Sequence, residues 1–175
     1  MLNVFTRKES KKYDKRSVQK LILEELPRIR RFAYALTQNH HDMEDLLQAL
    51  VEKILSQSIP LDAKPVPWML KVAKNMWIDE LRKRKTRGDE LPIEQAVLKQ
   101  PGNVEEQLTQ QQQMNRMLEA INQLPESQRV VMSLVMSAQM SYADTAAILD
   151  IPIGTVMSRL ARAREAVALT LGEQR

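Results

Sequence analysis

The last helix predicted in this chain carries the side chains best suited to chemistry, and that chemistry is recognition. Arginine donates in a planar fork that fits phosphates and guanine edges, and serine or threonine hydroxyls can bond bases or phosphates. On a helical wheel drawn from Gly154, one arc of the helix is small, hydroxylated and basic. It consists of Thr155, Ser158, Ala161, Arg162 and Glu165. Met157, Arg159 and Arg164 flank this arc. The opposite arc is an apolar seam: Val156, Leu160, Ala163 and Val167. The pattern suits a helix that buries one side and offers the other to a major groove.

The residues before this helix predict the first half of a helix-turn-helix. Residues 141–149 form a short amphipathic pattern with Ser141 at the N-cap and Asp144 three residues later, a capping box with Asp in place of Glu. The segment 150–154 then ends one helix and starts the next, whose role in such a motif is to read DNA. Two amphipathic helices joined by a turn also occur in any helical bundle, so this pattern alone leaves DNA binding and simple packing equally open.

A second cationic cluster ends the helix predicted over residues 68–85. The side away from its apolar stripe carries the following residues: Lys71, Lys74, Asn75, Ile78 and Arg82. The block 82–85, together with Arg87, holds more cations than a helix C-terminus requires, which indicates phosphate contacts. Trp68 and Trp77 suit base stacking or, as tryptophans more commonly do, a place in the core.

A third surface is acidic and lies on the helix predicted over residues 42–56. Asp42 is its expected N-cap, and Asp42, Glu44 and Asp45 place negative charge where the helix dipole favours it. Gln48 and Glu52 continue this polar face beyond the reach of the dipole. The helix dipole therefore explains the acidic residues of the first turn, Asp42, Glu44 and Asp45. It does not explain Gln48 and Glu52.

The composition excludes several classes of function. The 175 residues contain no cysteine, which excludes disulfides, thiol catalysis and cysteine-ligated zinc. The two histidines, His40 and His41, are adjacent in a predicted turn, and we find no phosphate-binding glycine loop, nucleophile elbow or metal-ligand cluster. The sequence thus speaks against an enzyme. The net charge of +4 is compatible with a polyanionic partner.

The order of elements predicts an all-α protein of two small helical domains joined by a flexible linker. We expect a charged leader over residues 1–16, a first domain over 17–87, a linker over 88–102 and a second domain over 103–175. Pro27 should kink or break a first helix over residues 17–37, and a stiff proline-rich loop should span residues 57–67. Further helices are expected over residues 103–123 and 125–138.

No segment has the pattern of a signal peptide or of a membrane span. We therefore expect a cytoplasmic protein without membrane insertion of its own.

Taken together, the motifs resemble those of bacterial RNA polymerase sigma factors of the extracytoplasmic-function (ECF) group. Residues 42–48, DMEDLLQ, look like the family's D-x-E-D-L-x-Q segment in region 2. Residues 67–75, PWMLKVAKN, with Asp79 and Arg82, are similar to its P-W-L-x-x-I-A-x-N-x-x-x-D-x-x-R segment. The segments 124–129, 141–142 and 153–164 resemble region 4. Their shared order across the chain makes the resemblance strongly specific.

The resemblance implies three binding surfaces and no cofactor. Core RNA polymerase would bind the acidic helix through Asp45, Gln48 and Glu52. The -10 promoter element would bind as a single strand, with an unstacked base held in the proline-rich loop, along these residues: Lys71, Lys74, Asn75, Ile78, Arg82, Lys83 and Lys85. The duplex -35 element would meet the following: Arg129, Thr155, Ser158, Arg159, Arg162 and Arg164. An anti-sigma protein is the further partner that the resemblance implies.

Three residues depart from the family pattern. Met157 stands where Lys or Arg is usual, Asp150 where a helix-ending Gly is usual, and Ala161 where many members have a larger or polar residue. We therefore expect weak or altered reading of the -35 element.

Two other functions fit part of the pattern. A sigma-like mimic could sequester a regulator without driving transcription, and a stand-alone helix-turn-helix regulator could bind duplex operators as a dimer. The mimic is disfavoured because the DNA-facing residues remain, namely Lys74, Asn75, the patch from Arg82 to Arg87, and Arg159 with Arg162. A separate N-terminal domain with an acidic docking helix disfavours the dimeric regulator.

Overall fold

The computed structural model describes residues 13–88 and 116–172, and the regular elements over these ranges are helices, as the composition predicts. Residues 15–87, here called the first unit, form three helices: α1 (Lys15–Thr37), α2 (His40–Gln57) and α3 (Pro65–Arg87). Most of the expected leader, the linker apart from Gly88, and the start of the helix predicted from residue 103 lie outside the described residues.

Helix α1 begins after Asp14, whose carboxylate accepts hydrogen bonds from the backbone N–H groups of Arg16 and Ser17. Of the kink or break predicted at Pro27, the break does not occur, because the helix continues through this residue to Thr37. Pro27 lies on the exposed side of α1, as does Leu23 four residues earlier. Water can therefore satisfy the Leu23 carbonyl that the proline leaves without its usual donor.

Helix α2 begins two residues earlier than predicted, because Asn39 and not Asp42 is its N-cap. Asn39 has an extended backbone, and its Oδ1 accepts from the backbone N–H of Asp42 at 2.9 Å. The assignment of Asp42 as the cap is therefore wrong. Asp42 lies in the first turn of the helix, which leaves its carboxylate available for a partner elsewhere.

Helix α3 begins at Pro65 and takes in two of the three prolines that predicted a loop. A proline in the first helical turn costs no hydrogen bond, since the first N–H groups have no partner within the helix. The connection between α2 and α3 is therefore shorter than predicted and spans residues 58–64.

The second unit contains the end of a helix over residues 116–122, here α4, followed by α5 (Glu126–Met132), α6 (Tyr142–Leu149) and α7 (Ile153–Thr170). Helix α5 runs on into a π-helical turn, Ser133–Ser137. The predicted cap of α6 is confirmed, since Ser141 Oγ accepts from the backbone N–H of Asp144 at 3.0 Å. Asp150 ends α6 in the left-handed conformation, at φ 56°, which Asp tolerates better than most residues.

The predicted apolar seam of α7 is also confirmed. Its four residues are buried and pack against α4, α5 and α6: Val156, Leu160, Ala163 and Val167. This packing fixes which side of α7 faces outward.

The two units dock against each other and share part of one core. Four buried residues of the second unit belong to the same apolar cluster as the interior of the first: Val130, Leu134, Ala138 and Ile148. The π-helical turn packs on α1, and α6 packs on α3. At the edge of this contact, Arg31 Nε donates to the Ser137 carbonyl at 3.4 Å.

Candidate nucleic-acid interface

Helix α3 brings six of the seven predicted -10 residues onto one side. Helical periodicity aligns the following: Lys71, Lys74, Asn75, Ile78, Arg82 and Lys85. Lys74 and Ile78 are half-buried, and the other four are exposed. Lys83 is the exception, because it lies on the side of α3 that borders a groove between α2 and α3.

Arg84, in the middle of the cationic block, is committed to the fold. Its guanidinium holds Asp42 in a two-pronged pair, with Nη1 donating to Oδ2 at 2.9 Å and Nη2 donating to Oδ1. Its Nε donates to Glu80 at 3.0 Å, and its Cζ lies 5.4 Å from the centre of the Trp77 ring. The hydrogen bonds with Asp42 raise the pKa of Arg84 above its usual value, although burial opposes them. Trp77 itself is buried and belongs to the core.

Carboxylates offset part of the charge near the end of α3. Arg82 lies 3.4 Å from Asp79, and Arg87 lies 3.2 Å from Glu80. The pKa of Glu80 is lowered, chiefly by its hydrogen bond with Arg84. The cationic block is therefore less basic than its sequence suggests, and its exposed lysines, Lys83 and Lys85, carry most of its net positive charge.

The second unit borders this face of α3 with acidic residues. Lys64, at the end of the loop before α3, pairs with Asp144 of α6 at 2.9 Å. Burial and the neighbouring charge of Lys71 lower the pKa of Lys74, while the charges of Asp150 and Glu126 oppose that shift. Carboxylates of the second unit thus pair with Lys64 and influence Lys74, one of the lysines that the sequence assigned to DNA.

Helix α2 presents the three predicted polymerase-binding residues on one exposed side: Asp45, Gln48 and Glu52. Gln48 Nε2 donates to Glu52 Oε1 at 3.0 Å. Asp45 also borders the groove of about 510 Å³ between α2 and α3, where Lys53 and Lys83 contribute positive charge. The face is polar, exposed and mixed in charge at its border, which suits a protein partner that carries charged residues.

Helix α7 groups Thr155, Ser158 and Arg162 on its outward side, with Arg159 half-buried at the border. The Ser158 hydroxyl donates to the Thr155 carbonyl at 3.1 Å, so one of its bonds is already used within the helix. Arg164 lies on another part of the surface, where its Nη2 approaches Met136 Sδ at 3.6 Å. The structure therefore separates Arg164 from the other predicted -35 contacts.

Arg129 lies on α5, apart from the outward side of α7. It is half-buried, and its Nη1 donates to the Asn122 carbonyl at 3.3 Å, which links α5 to the end of α4. Burial lowers the pKa of Arg129, and Glu126 opposes that shift. Any phosphate contact would have to use the part of the guanidinium that still reaches the surface.

Sequence reasoning missed residues that join the two units, such as Lys64 and Asp144. Helical periodicity contains no signal for them, since the contacts join positions distant in the chain. Among the described residues, no group of three or more His, Cys, Asp and Glu side chains could hold a metal ion. None of the helices in residues 13–88 and 116–172 combines the length and apolar character of a membrane span.

Two family models match the chain in the order that the motifs predict. The model of sigma-70 region 2 matches residues 21–87, and the model of sigma-70 region 4 matches residues 114–167. The first covers α2, α3 and most of α1, and the second covers the helix-turn-helix.

Named sigma factors are similar to the chain along most of its length. The RNA polymerase sigma factor HrpL of Pseudomonas syringae pv. syringae is 29% identical over 152 residues, which cover 84% of this chain and 83% of HrpL. The ECF RNA polymerase sigma factor EcfG of Rhodopseudomonas palustris is 29% identical over 154 residues, which cover 86% of this chain and 82% of EcfG. Among solved structures, the sigma factor RpoE of Bartonella quintana, in complex with the anti-sigma factor NepR, matches with a TM-score of 0.76 and 27% identity, over 91% of this chain and 99% of RpoE.

Proposed function

Because this chain belongs to the ECF group of the sigma-70 family of RNA polymerase sigma factors, we propose that it binds core RNA polymerase and directs initiation at promoters with -10 and -35 elements. The observation that carries this proposal is the presence of both sigma regions, in order, in one chain whose match covers 83% of HrpL. Sigma factors are initiation factors without catalysis of their own. We accordingly assign the chemistry of transcription to the polymerase and place the protein in the cytoplasm.

The core polymerase is assigned to the outward side of α2. Asp45, Gln48 and Glu52 are exposed and share one side, and the hydrogen bond between Gln48 and Glu52 holds two of them in a fixed relation. Charged side chains at a partly hydrated interface favour orientation and fast association.

The -10 element is assigned to the outward side of α3 and the loop before it. Single-stranded DNA requires backbone charge and a surface that receives unstacked bases. Lys71, Lys74 and Lys85 supply charge, Asn75 supplies an amide, and Ile78 supplies an apolar contact. Arg82 shares this side and is shielded by Asp79, while Lys83 contributes from the border with α2.

The -35 element is assigned to α7. Thr155, Ser158 and Arg162 would enter the major groove, with Arg159 at the edge of the contact. Arg129 and Arg164 lie apart from this surface, and we assign them to phosphates. Phosphate contacts position the helix, and the base edges supply specificity.

The docked arrangement favours control of DNA access. Lys74 is half-buried, and Asp150 and Glu126 lie near enough to influence its pKa. Helix α6 packs on α3, and Asp144 of α6 pairs with Lys64 beside this face. We infer that the docked second unit and a -10 strand compete for this face of α3. The similar RpoE of Bartonella quintana forms a complex with the anti-sigma factor NepR. We infer that an anti-sigma protein also controls this chain.

Run-off transcription with purified core polymerase on a panel of promoter templates tests the proposal. We expect specific initiation that depends on this chain. The double variant Asp45→Ala, Gln48→Ala should lower affinity for core polymerase and keep the fold, because both side chains are exposed. Leu23→Ala is a control, since Leu23 is exposed on α1 and is not one of the residues assigned to the polymerase.

Absence of initiation with competent core and a varied panel would contradict the proposal and favour the sequestering mimic. Full retention of core affinity by the double variant would contradict only the assignment of α2.

A further inference from the structure

Methionine is the side chain of this protein that peroxides oxidise most readily, because the 175 residues contain no cysteine. Among the described residues, three methionines are exposed: Met117 at 45%, Met136 at 55% and Met157 at 52%. Met43 and Met69, by contrast, are buried in the core. Exposure alone therefore gives three side chains that a small oxidant in solution can reach.

Arg164 distinguishes Met136 from the other two. Its Nη2 donates to Met136 Sδ at 3.6 Å, across a separation of 28 residues in the chain. The contact joins α7 to the π-helical turn Ser133–Ser137. Within residues 13–88 and 116–172, Met117 and Met157 have no such donor at the sulfur. Met136 and Met157 thus have nearly equal exposure and differ in the neighbouring guanidinium.

Hydrogen peroxide oxidises a thioether by transfer of one oxygen atom. The sulfur lone pair forms the S–O bond as the O–O bond breaks, and the second oxygen leaves with the electron pair of that bond. This oxygen takes the proton of the transferred hydroxyl group and departs as water, so the sulfur loses two electrons and the peroxide gains them. A guanidinium donor beside the sulfur stabilises the negative charge that develops on the departing oxygen. Arg164 should therefore speed the reaction at Met136.

The product changes the partner of Arg164. A thioether sulfur is a weak hydrogen-bond acceptor, whereas oxidation places a polar oxygen on the same atom. A hydrogen bond from a guanidinium to such an oxygen belongs to the stronger, charge-assisted class. The sulfoxide of Met136 and a promoter phosphate would thus compete for one guanidinium.

We propose that Met136 is a reversible oxidation site whose sulfoxide holds Arg164 away from promoter phosphates, so that peroxide weakens promoter binding. The effect on promoters rests on the proposed function, which assigns Arg164 to phosphates. Methionine sulfoxide reductases reverse the modification: two electrons and two protons return the thioether and release the oxygen as water.

Oxidation rates of the free chain test the modification site. The full chain is treated with dilute hydrogen peroxide, and the sulfoxide at each methionine is followed by peptide mass spectrometry. We expect Met136 to be oxidised roughly fivefold faster than Met157, the rate factor for about one net hydrogen bond. Arg164→Ala should lower the rate at Met136 to that of Met157. Arg162→Ala is the matched control, because Arg162 is also an exposed arginine of α7, and it should leave Met136 fast.

Promoter binding tests the consequence. Oxidised chain is assembled with untreated core polymerase, and its affinity for a promoter is measured at several salt concentrations. We expect roughly tenfold weaker binding and a salt dependence shallower by about one phosphate contact, both restored by the reductases. Met136→Leu should keep its affinity after peroxide treatment. Met117→Leu is the control, since it removes another exposed sulfur and should lose affinity as wild type does.

Equal oxidation rates at Met136 and Met157, or a fast rate at Met136 that persists in Arg164→Ala, would overturn the modification site. An equal loss of affinity in oxidised wild type and oxidised Met136→Leu would overturn the role of its sulfoxide. If the untreated holoenzyme bound no promoter, the proposed function and the effect on promoters would both be wrong. The oxidation rates of the free chain would still decide whether Met136 is the modified residue.

Discussion

Lys64 and Asp144 are 80 residues apart in the chain, yet Lys64 Nζ lies 2.9 Å from Asp144 Oδ1. The pair joins the loop before α3 to the first turn of α6, so it links the two units next to the face assigned to the -10 strand. Asp144 also accepts a hydrogen bond from the Ser141 hydroxyl at 2.8 Å. One carboxylate therefore takes part in the cap of α6 and in the docking of the units.

Loss of this ion pair should loosen the docking without unfolding either unit. Lys64→Ala removes the pair and leaves the Ser141 cap intact. The side chain of Lys64 is 77% exposed, so we expect an effect of at most about 1 kcal/mol on the docking equilibrium. Because the chain contains no cysteine, dyes on introduced cysteines at Gln19 and Leu169 would report the distance between the units by energy transfer.

Lys20→Ala is the control for that measurement, since Lys20 pairs with Glu24 within α1 at 3.8 Å. If Lys64→Ala gave the same energy transfer as Lys20→Ala at low salt, the prediction that Lys64 stabilises the docking would be wrong.

Acid should weaken the same contact. The hydrogen bond with Lys64, with a further one from Ser141, lowers the pKa of Asp144 below its usual 3.8. A lowered pKa means that the charged form is favoured in the folded, docked state. Its contribution is therefore complete above about pH 5 and is lost as the pH falls through the lowered pKa. Energy transfer titrated from pH 7 to pH 3 should fall more steeply in wild type than in Lys64→Ala; parallel curves would contradict this prediction.

Removal of Asp42 should destabilise the first unit. The side chains of Arg84 and Asp42 are only 18% and 11% exposed, so Asp42→Ala leaves a largely buried guanidinium with Glu80 as its remaining carboxylate partner. We expect the free energy of unfolding to fall by about 3 kcal/mol, toward the lower end of the range for breaking a buried ion pair. Urea unfolding measures this change.

Asp79→Ala provides the comparison, because it breaks the exposed pair with Arg82 and should cost less than about 1 kcal/mol. Equal effects of the two substitutions would show that burial does not distinguish these pairs.

Two arginines of α7 should behave differently toward promoters. Arg162→Ala should cost about 1 to 3 kcal/mol and relax the preference at one -35 position if its contact is bidentate. Arg164→Ala, on the other part of the surface beside Met136, should weaken binding uniformly and reduce the salt dependence. Holoenzyme binding to single-substitution promoter templates at two salt concentrations separates the two results; an unchanged preference in Arg162→Ala would reject Arg162 as a reader of bases.

The amino-acid sequence determined the helices and the direction in which each faces. Val156 and Leu160 of α7 are buried as their spacing predicts, and Ser141 caps α6 as its position before Asp144 predicts. Family motifs extended the prediction to region 2 and region 4, which the comparisons confirm. These features follow from sequence because helical period and capping are local and depend on residues within a few positions of each other.

Local patterns led to errors where two side chains could serve the same purpose. Asp42 and Asn39 are both suitable N-caps, and Asn39 caps α2 while Asp42 bonds Arg84. Likewise, Pro65 and Pro67 predict a loop as readily as a first helical turn. Which residue caps α2, and where α3 begins, depended on contacts with residues distant in the chain, and the local sequence does not show those contacts.

Only the tertiary structure decided which charges remain available and how the units meet. Arg84 counts as one more cation in the sequence, yet it is held by Asp42, which is 42 residues away. Asp144 is a capping residue in the sequence, yet it also binds Lys64 of the other unit. Ion pairs and docking surfaces arise between side chains that folding brings together, and helical periodicity carries no information about partners at that separation.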